Sequence, residues 1–225
     1  MKKQQVRARI EEIGIIPAIR VHSAADAHFA AETVNRGGIP IAEITMTIPD
    51  AIQVITGLTK SSPGMIVGAG TVLDVETAKR CLDAGAKFLT SPGLILEVVE
   101  FALRNDVVVF PGALTPTEVI MAWKAGADFV KVFPCGQVGG DGYIRALRAP
   151  LPQVPLIASG GVNQQTALNF ILAGATAIGI GGELIPRDSV QLREEDRILE
   201  LARRYRKLVK DGRGRNRHSE KSFLK

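Results

Sequence analysis

The sequence predicts a single-domain (β/α)8 barrel of the TIM type, with an extra N-terminal helix before it and a basic tail after it. Three observations predict this. Eight short, mostly β-branched apolar runs can be counted, at residues 15–21, 41–47, 65–71, 88–91, 107–111, 129–133, 156–159 and 177–181. Most are separated by stretches with apolar residues at three- and four-residue steps, such as Ala78-Cys81-Leu82 and Val119-Trp123, the signature of a helix with one buried face. Finally, one punctuation recurs four times: Asn35-Arg36-Gly37-Gly38, Asp83-Ala84-Gly85-Ala86, Lys124-Ala125-Gly126-Ala127 and Leu172-Ala173-Gly174-Ala175. Each places glycine where a helix C-terminus needs a left-handed residue. The repeat recurs at roughly 40–50 residues, about two βα units. Repeated βα units imply a parallel sheet with right-handed crossovers, and eight of them in this length imply a barrel. An open doubly wound sheet is the alternative, but the turn after the first strand lacks G-x-G-x-x-G.

The elements follow in order. A helix over residues 3–13 precedes the first strand and is placed to cover the barrel's bottom. Ser23 caps the helix running to Asn35. Thr115-Pro116-Thr117-Glu118 combines a cap residue, a proline at the first helical position and a glutamate at the third, a capping box. Asn163 caps the helix through Phe170 and Leu172. The last helix spans about 194–210 and closes the ring. Beyond Asp211-Gly212 no folding pattern is visible, so the barrel is expected over 1–210 and a disordered tail over 211–225.

Composition restricts the function classes. The 225 residues, 46% apolar, suffice for one large core. No apolar run is long enough to span a membrane. The charged N-terminus has no apolar segment of the secretory kind. Cys81 and Cys135 form neither a disulfide framework nor a metal spacing, and read as reduced thiols of a cytoplasmic protein. His22, His28 and His218 are scattered, so no metal site is expected. The net charge of +5 belongs to the end of the chain: residues 203–225 hold ten Lys/Arg and two Asp/Glu, leaving 18 and 21 for the body. With no aromatic platform accompanying the charge, this reads as a solvated tail and not as a nucleic-acid site.

The candidate chemistry centres on Lys131, set in the apolar strand Phe129-Val130-Lys131-Val132-Phe133. Burial there disfavours an ammonium and lowers its pKa, which makes an amine nucleophile suited to Schiff-base formation. The bland reading is a lysine snorkelling to water or to a carboxylate. In a barrel the working groups lie at the C-terminal strand ends. Reading those ends gives Arg20, Glu43, Thr71, Ser91, Gly112, Lys131, Ser159 and Gly181. Glu43, inside its own apolar strand, is placed for proton transfer, or else simply pairs with Lys131 or Arg20. Ser159-Gly160-Gly161 and Gly181-Gly182 end the last two strands, where barrels often bind phosphate on backbone amides. The alternative is that these glycines serve only tight turns.

Taken together, several stretches resemble the class I aldolases that cleave 2-keto-3-deoxy-6-phosphogluconate and 4-hydroxy-2-oxoglutarate. They are Ala42-Glu43-Ile44-Thr45, Val67-Gly68-Ala69-Gly70-Thr71, Ser91-Pro92-Gly93, Phe110-Pro111-Gly112, Phe129-Val130-Lys131-Val132-Phe133-Pro134, Ser159-Gly160-Gly161-Val162 and Gly179-Ile180-Gly181-Gly182. The resemblance covers roughly residues 10–190. It implies a keto-acid substrate, a homotrimer, and neither metal nor cofactor. It makes Lys131 the Schiff-base lysine, Glu43 the acid/base, Thr71 a pyruvate contact and Phe133 an apolar wall beside the imine. It puts the distal phosphate against Gly160, Gly161, Gly181 and Gly182. Two departures stand out. Thr47 follows Met46 where many members carry arginine, so Arg20 is expected to bind the pyruvate carboxylate. Gly182 stands where serine is common, which favours a shorter keto acid. The readings that remain beside this one are another phosphate-binding barrel enzyme and a non-catalytic binding barrel.

Overall fold

The computed structural model describes residues 1–223, with side chains through Asn216. The chain runs α1 (Lys3–Ile13), β1 (Ile15–Ile19), α2 (Ala24–Arg36), β2 (Ile41–Thr45), α3 (Ala51–Ser61), β3 (Ile66–Gly70), α4 (Val75–Asp83), β4 (Phe88–Thr90) and α5 (Leu96–Arg104). It continues through β5 (Val108–Phe110), β6 (Gly112–Ala113), α6 (Pro116–Lys124), β7 (Val130–Val132), α7 (Asp141–Arg148), β8 (Leu156–Ser159), α8 (Ala167–Leu172), β9 (Ala177–Ile180), α9 (Arg187–Gln191) and α10 (Glu195–Phe223). All the strand pairs are parallel, in the order β5-β4-β3-β2-β1-β9-β8-β7-β6. The two ends of that order, β5 and β6, are consecutive pieces of one strand, so the sheet closes into the expected eight-fold barrel.

The fifth strand is broken at Pro111, a detail the apolar run did not reveal. Proline has no N–H to donate to a ladder. Residues before it pair with β4, and residues after it pair with β7. The Pro111 carbonyl still accepts the Lys131 amide at 2.9 Å, which fixes the register of the lysine's strand.

Side chains alternate across each strand, and the alternation sorts the interior into layers. Ile16, Ile41, Ile66, Phe88, Val108, Phe110, Phe129, Ile157 and Ala177 form one buried cluster inside the barrel. Val6 and Ile10 of α1 belong to the same cluster, so the N-terminal helix plugs the bottom. Lys3 Nζ lies 3.0 Å from Asp128, whose carboxylate also accepts the Val109 amide, and this tethers the plug. Two residues further along their strands stand Glu43 above Ile41, Lys131 above Phe129 and Ser159 above Ile157. The larger apolar cluster lies outside the sheet, beneath the helices.

The predicted caps form as expected. Ser23 accepts the Asp26 amide, and Thr115 with Glu118 makes a reciprocal capping box. Asn163 caps an entering turn, accepting the Gln165 and Thr166 amides, and the regular helix begins at Ala167. Gly38, Gly85, Gly126 and Gly174 all have positive φ, as the repeated punctuation required.

The expected boundary at residue 210 needs correction. Helix α10 continues without a break through Asp211-Gly212 to Phe223. It packs on α8 and α2. Gly212 lies so close to Ile171 that a Cβ would meet its Cγ2 at 2.8 Å. Arg213 donates to the carbonyls of Glu11, Glu12 and Thr176, and Asn216 to that of Ile171. These contacts offset the poor local helix propensity of Gly212 and Gly214. Of the expected tail, positions 224–225 lie outside the described residues.

Candidate active site

Ten of the residues singled out line one cavity of about 400 Å³ at the C-terminal mouth of the barrel: Arg20, Glu43, Thr71, Lys131, Phe133, Ser159, Gly160, Gly161, Gly181 and Gly182. The strand-end residues Ser91 and Gly112 are outside its wall, and the Ser91 hydroxyl donates to the Gly93 carbonyl. Pro92, quoted above only as part of a motif, and Glu183, Ile185 and Arg187, which no motif contained, complete much of the wall.

Lys131 and Glu43 face each other across the floor. Lys131 Nζ stands 3.5 Å from Glu43 Oε1, and the residues are 9% and 2% exposed. The separation is at the outer limit of a hydrogen bond, so the amine is close to the carboxylate without being tightly held by it. The carboxylate has its place because Gly70 has no side chain. The Phe133 ring stands beside the amine, its centroid 5.8 Å from Nζ.

Thr71 follows β3 with φ +59°. A β-branched residue rarely adopts this region, and such strain collects at functional positions. Arg20 follows β1, is exposed, and makes no ion pair among the described residues. Thr47 is not in the cavity wall; its hydroxyl lies 2.9 Å from that of Thr45.

At the far side of the cavity, the end of β8 is pressed against the chain after β7. The Cys135 amide donates to Ser159 O and the Gly136 amide to Gly160 O, each at 2.8 Å. Gly160 and Gly161 have φ +82° and +79°, and a Cβ on Gly161 would stand 2.7 Å from Gly136 Cα. Here the tight-turn role of the glycines and their presence in the cavity wall coincide. Gly112 is required in the same sense, since a Cβ there would meet Pro92 O at 2.1 Å.

Cys135 is buried beside this loop, and desolvation pushes its thiol up to about 12. It donates to the Gly140 carbonyl and is not poised as a nucleophile. Among the described residues no group of three or more His, Cys, Asp and Glu side chains could hold a metal ion.

The family profile for KDPG and KHG aldolase matches residues 6–201. The chain belongs to that family. It is 32% identical over 190 residues to the KHG/KDPG aldolase of Escherichia coli K12, covering 84% of this chain and 89% of the relative. A KDPG aldolase from Legionella pneumophila, solved with pyruvate captured as a covalent carbinolamine intermediate, superposes with a TM-score of 0.82 at 28% identity. The match covers 88% of this chain and 97% of that one. A designed, cube-shaped protein cage made by fusing symmetric oligomeric domains superposes with a TM-score of 0.84 at 27% identity, covering 95% of this chain and 78% of that one. The motifs read from the sequence thus lie within a family match that ends before the α10 extension.

The residues missed by sequence reading have a common cause. Pro92 lies in the turn after β4 and Arg187 opens α9, so both stand beyond the strands and no strand periodicity reaches them. The available signal was positional: Pro92 follows a strand end, and Arg187 follows the glycine pair after the last strand.

Proposed function

We propose that this chain is a class I aldolase. It cleaves a 2-keto-4-hydroxy acid, 2-keto-3-deoxy-6-phosphogluconate or 4-hydroxy-2-oxoglutarate, to pyruvate and an aldehyde. The observation that carries the reading is the approach of Lys131 Nζ to Glu43 Oε1 inside the cavity, in a chain of this family.

The chemistry assigns each group a task. The neutral amine of Lys131 attacks the 2-keto carbon, and the carbinolamine loses water to give an iminium. Glu43, through a water, takes the proton of the C4 hydroxyl. The C3–C4 bond breaks, its electron pair moves towards the iminium nitrogen, and the aldehyde leaves. The resulting enamine is protonated at C3 by the acid form of Glu43, and water releases pyruvate and the free amine. Phe133 shields the imine on its apolar side. Arg20 holds the substrate carboxylate and Thr71 contacts the pyruvate half. Gly160, Gly161, Gly181 and Gly182 form the wall against the distal group, with Ser159 beside them.

Two buried free thiols support a cytoplasmic setting, and among the described residues no helix is long and apolar enough to cross a membrane. For the assembly we propose a homotrimer; the likeness to a domain of a cage built from symmetric oligomers supports an oligomer. Sedimentation equilibrium checks it, and a monomer mass would remove the assignment.

Borohydride reduction in the presence of pyruvate tests the mechanism. The expected result is a covalent pyruvyl adduct on Lys131, found by peptide mass mapping. A folded protein that keeps its native mass rejects the Schiff-base reading.

A further inference from the structure

The cavity has two chemically different sides. Lys131 and Glu43 lie on β7 and β2, Thr71 and Arg20 directly follow β3 and β1, and the glycine pairs directly follow β8 and β9, which stand between β7 and β1 in the sheet. Arg187 joins the wall after β9, and its backbone is fixed from both directions. The amides of Leu184 and Ile185 both donate to Gly181 O at 3.0 Å, and both side chains are buried. Beyond Arg187, Ser189 and Val190 are buried, and Ser189 Oγ is bonded to Glu194. The loop between Gly181 and Arg187 is therefore anchored, while the arginine itself is exposed at the cavity rim.

The adjacent carboxylate does not neutralise it. Asp188 is bonded to Arg197 at 2.9 Å, and this partner holds its carboxyl below the ordinary range. Among the described residues Arg187 makes no ion pair. Glu183 shares the wall, but it also lines a neighbouring cleft with Gln164, Glu200 and Arg204, and its charge bears on Tyr205 of α10. With Lys131 facing Glu43, the cavity has two further guanidinium groups, Arg20 and Arg187, and one further carboxylate. A Cβ built on Gly182 meets nothing within 4 Å, so this part of the wall is open.

We propose that Arg187 is a specificity-determining residue that binds the distal anionic group of the substrate, a phosphate or a carboxylate, where Gly182 offers no side chain. The inference rests on the aldolase reading and adds to it the residue that reads the far end. A guanidinium binds either anion through two parallel hydrogen bonds. The absence of a hydroxyl at position 182 then does not by itself exclude a phosphorylated substrate.

The test compares three keto acids: 2-keto-3-deoxy-6-phosphogluconate, 4-hydroxy-2-oxoglutarate, and 2-keto-3-deoxygluconate, whose far end is uncharged. In Arg187→Ala the ratio of kcat/KM for an anionic substrate to that for the uncharged one is expected to fall about tenfold or more, through KM. Arg187→Lys is expected to recover part of that ratio. A larger fall for the phosphorylated acid assigns the contact to phosphate, and a larger fall for the dicarboxylate assigns it to carboxylate. An unchanged ratio, or equal losses on all three substrates, overturns the proposal. Calorimetric titration with inorganic phosphate supplies a readout independent of turnover. If the wild-type chain forms no pyruvate adduct, the aldolase reading fails, and this titration alone decides the cation's role. Weaker phosphate binding by Arg187→Ala sustains it, and equal or undetectable binding in both proteins overturns it.

Discussion

Gly70 lies directly against the Glu43 carboxylate: a Cβ on Gly70 would stand 2.1 Å from Glu43 Oε1 and 2.7 Å from Cδ. The glycine on β3 thus provides the space in which the carboxylate on β2 faces Lys131. The two strands are in register here, with Glu43 beside Gly68 and Thr45 beside Gly70. Gly70→Ala is expected to displace the carboxylate rather than the barrel, because the clash is with the far end of a flexible side chain. A displacement of about 1 Å at a reacting group costs on the order of 10²-fold in rate. Steady-state kinetics should show that fall in kcat, while circular dichroism reports a native fold. An unchanged kcat would show that the carboxylate's position is not critical.

Removing the carboxylate itself separates proton transfer from covalent capture. Glu43→Gln is expected to lower kcat by about 10²–10⁴-fold, yet still to yield a Lys131 adduct on borohydride trapping with pyruvate, given enough time. Full turnover in this variant would assign the proton steps to another group.

Arg20 carries the next prediction. Arg20→Ala is expected to raise KM for both keto acids by about tenfold or more, since a charge-assisted, bidentate contact would be lost. Arg20→Lys should recover only part of it, because an ammonium is a point donor. An unchanged KM removes Arg20 from the carboxylate site.

Thr71 pairs a strained backbone with a position in the cavity wall. Thr71→Gly relieves a cost of about 1–3 kcal/mol but loosens the unfolded chain, which returns about 0.4–1 kcal/mol. Stability in urea is expected to hold or rise, while kcat/KM falls. A clear loss of stability would show that the Thr71 side chain is needed for packing.

The extension of α10 makes a prediction opposite to that of a disordered tail. Arg213→Ala should destabilise the fold by about 1–3 kcal/mol, because it leaves the Glu11, Glu12 and Thr176 carbonyls without their donor. Truncation after Lys210 should cost at least as much. A truncated chain with wild-type stability would make the contacts incidental.

Acid should weaken the start of α6. The Thr115 and Leu114 amides and the Thr115 hydroxyl hold the Glu118 carboxyl below its ordinary value of 4.5. A carboxyl depressed in the folded state contributes stability above its unfolded value and loses that contribution as pH falls through the folded value. Glu118→Gln is therefore expected to reduce stability at neutral pH and to flatten its decline below about pH 4.5. Urea denaturation at pH 7 and pH 3 tests the sign.

The eight strands were legible because each is a short apolar run, most of them closed by glycine or proline, and a doubly covered parallel sheet demands such runs. The polar residues Glu43, Lys131 and Ser159 were legible for the same reason, as interruptions in apolar strands. The break at Pro111 was not legible, because it depends on which neighbour each half of the strand pairs with. The helix through Gly212 and Gly214 was hidden because local propensity speaks against it, and contacts with Ile171 and the α1 carbonyls override that preference.

The sequence by itself determined the barrel, its bottom plug and the ring of strand-end residues from which the site is built, since side-chain alternation and strand polarity follow from local pattern. Only the tertiary structure decided that Lys131 and Glu43, 88 residues apart in the chain, meet at 3.5 Å, that Gly70 makes room for the carboxylate, and that Arg187 returns to the cavity rim. Those relationships depend on register between strands and on where the chain after β9 enters α9. They arise from contacts between distant segments, which no local periodicity encodes.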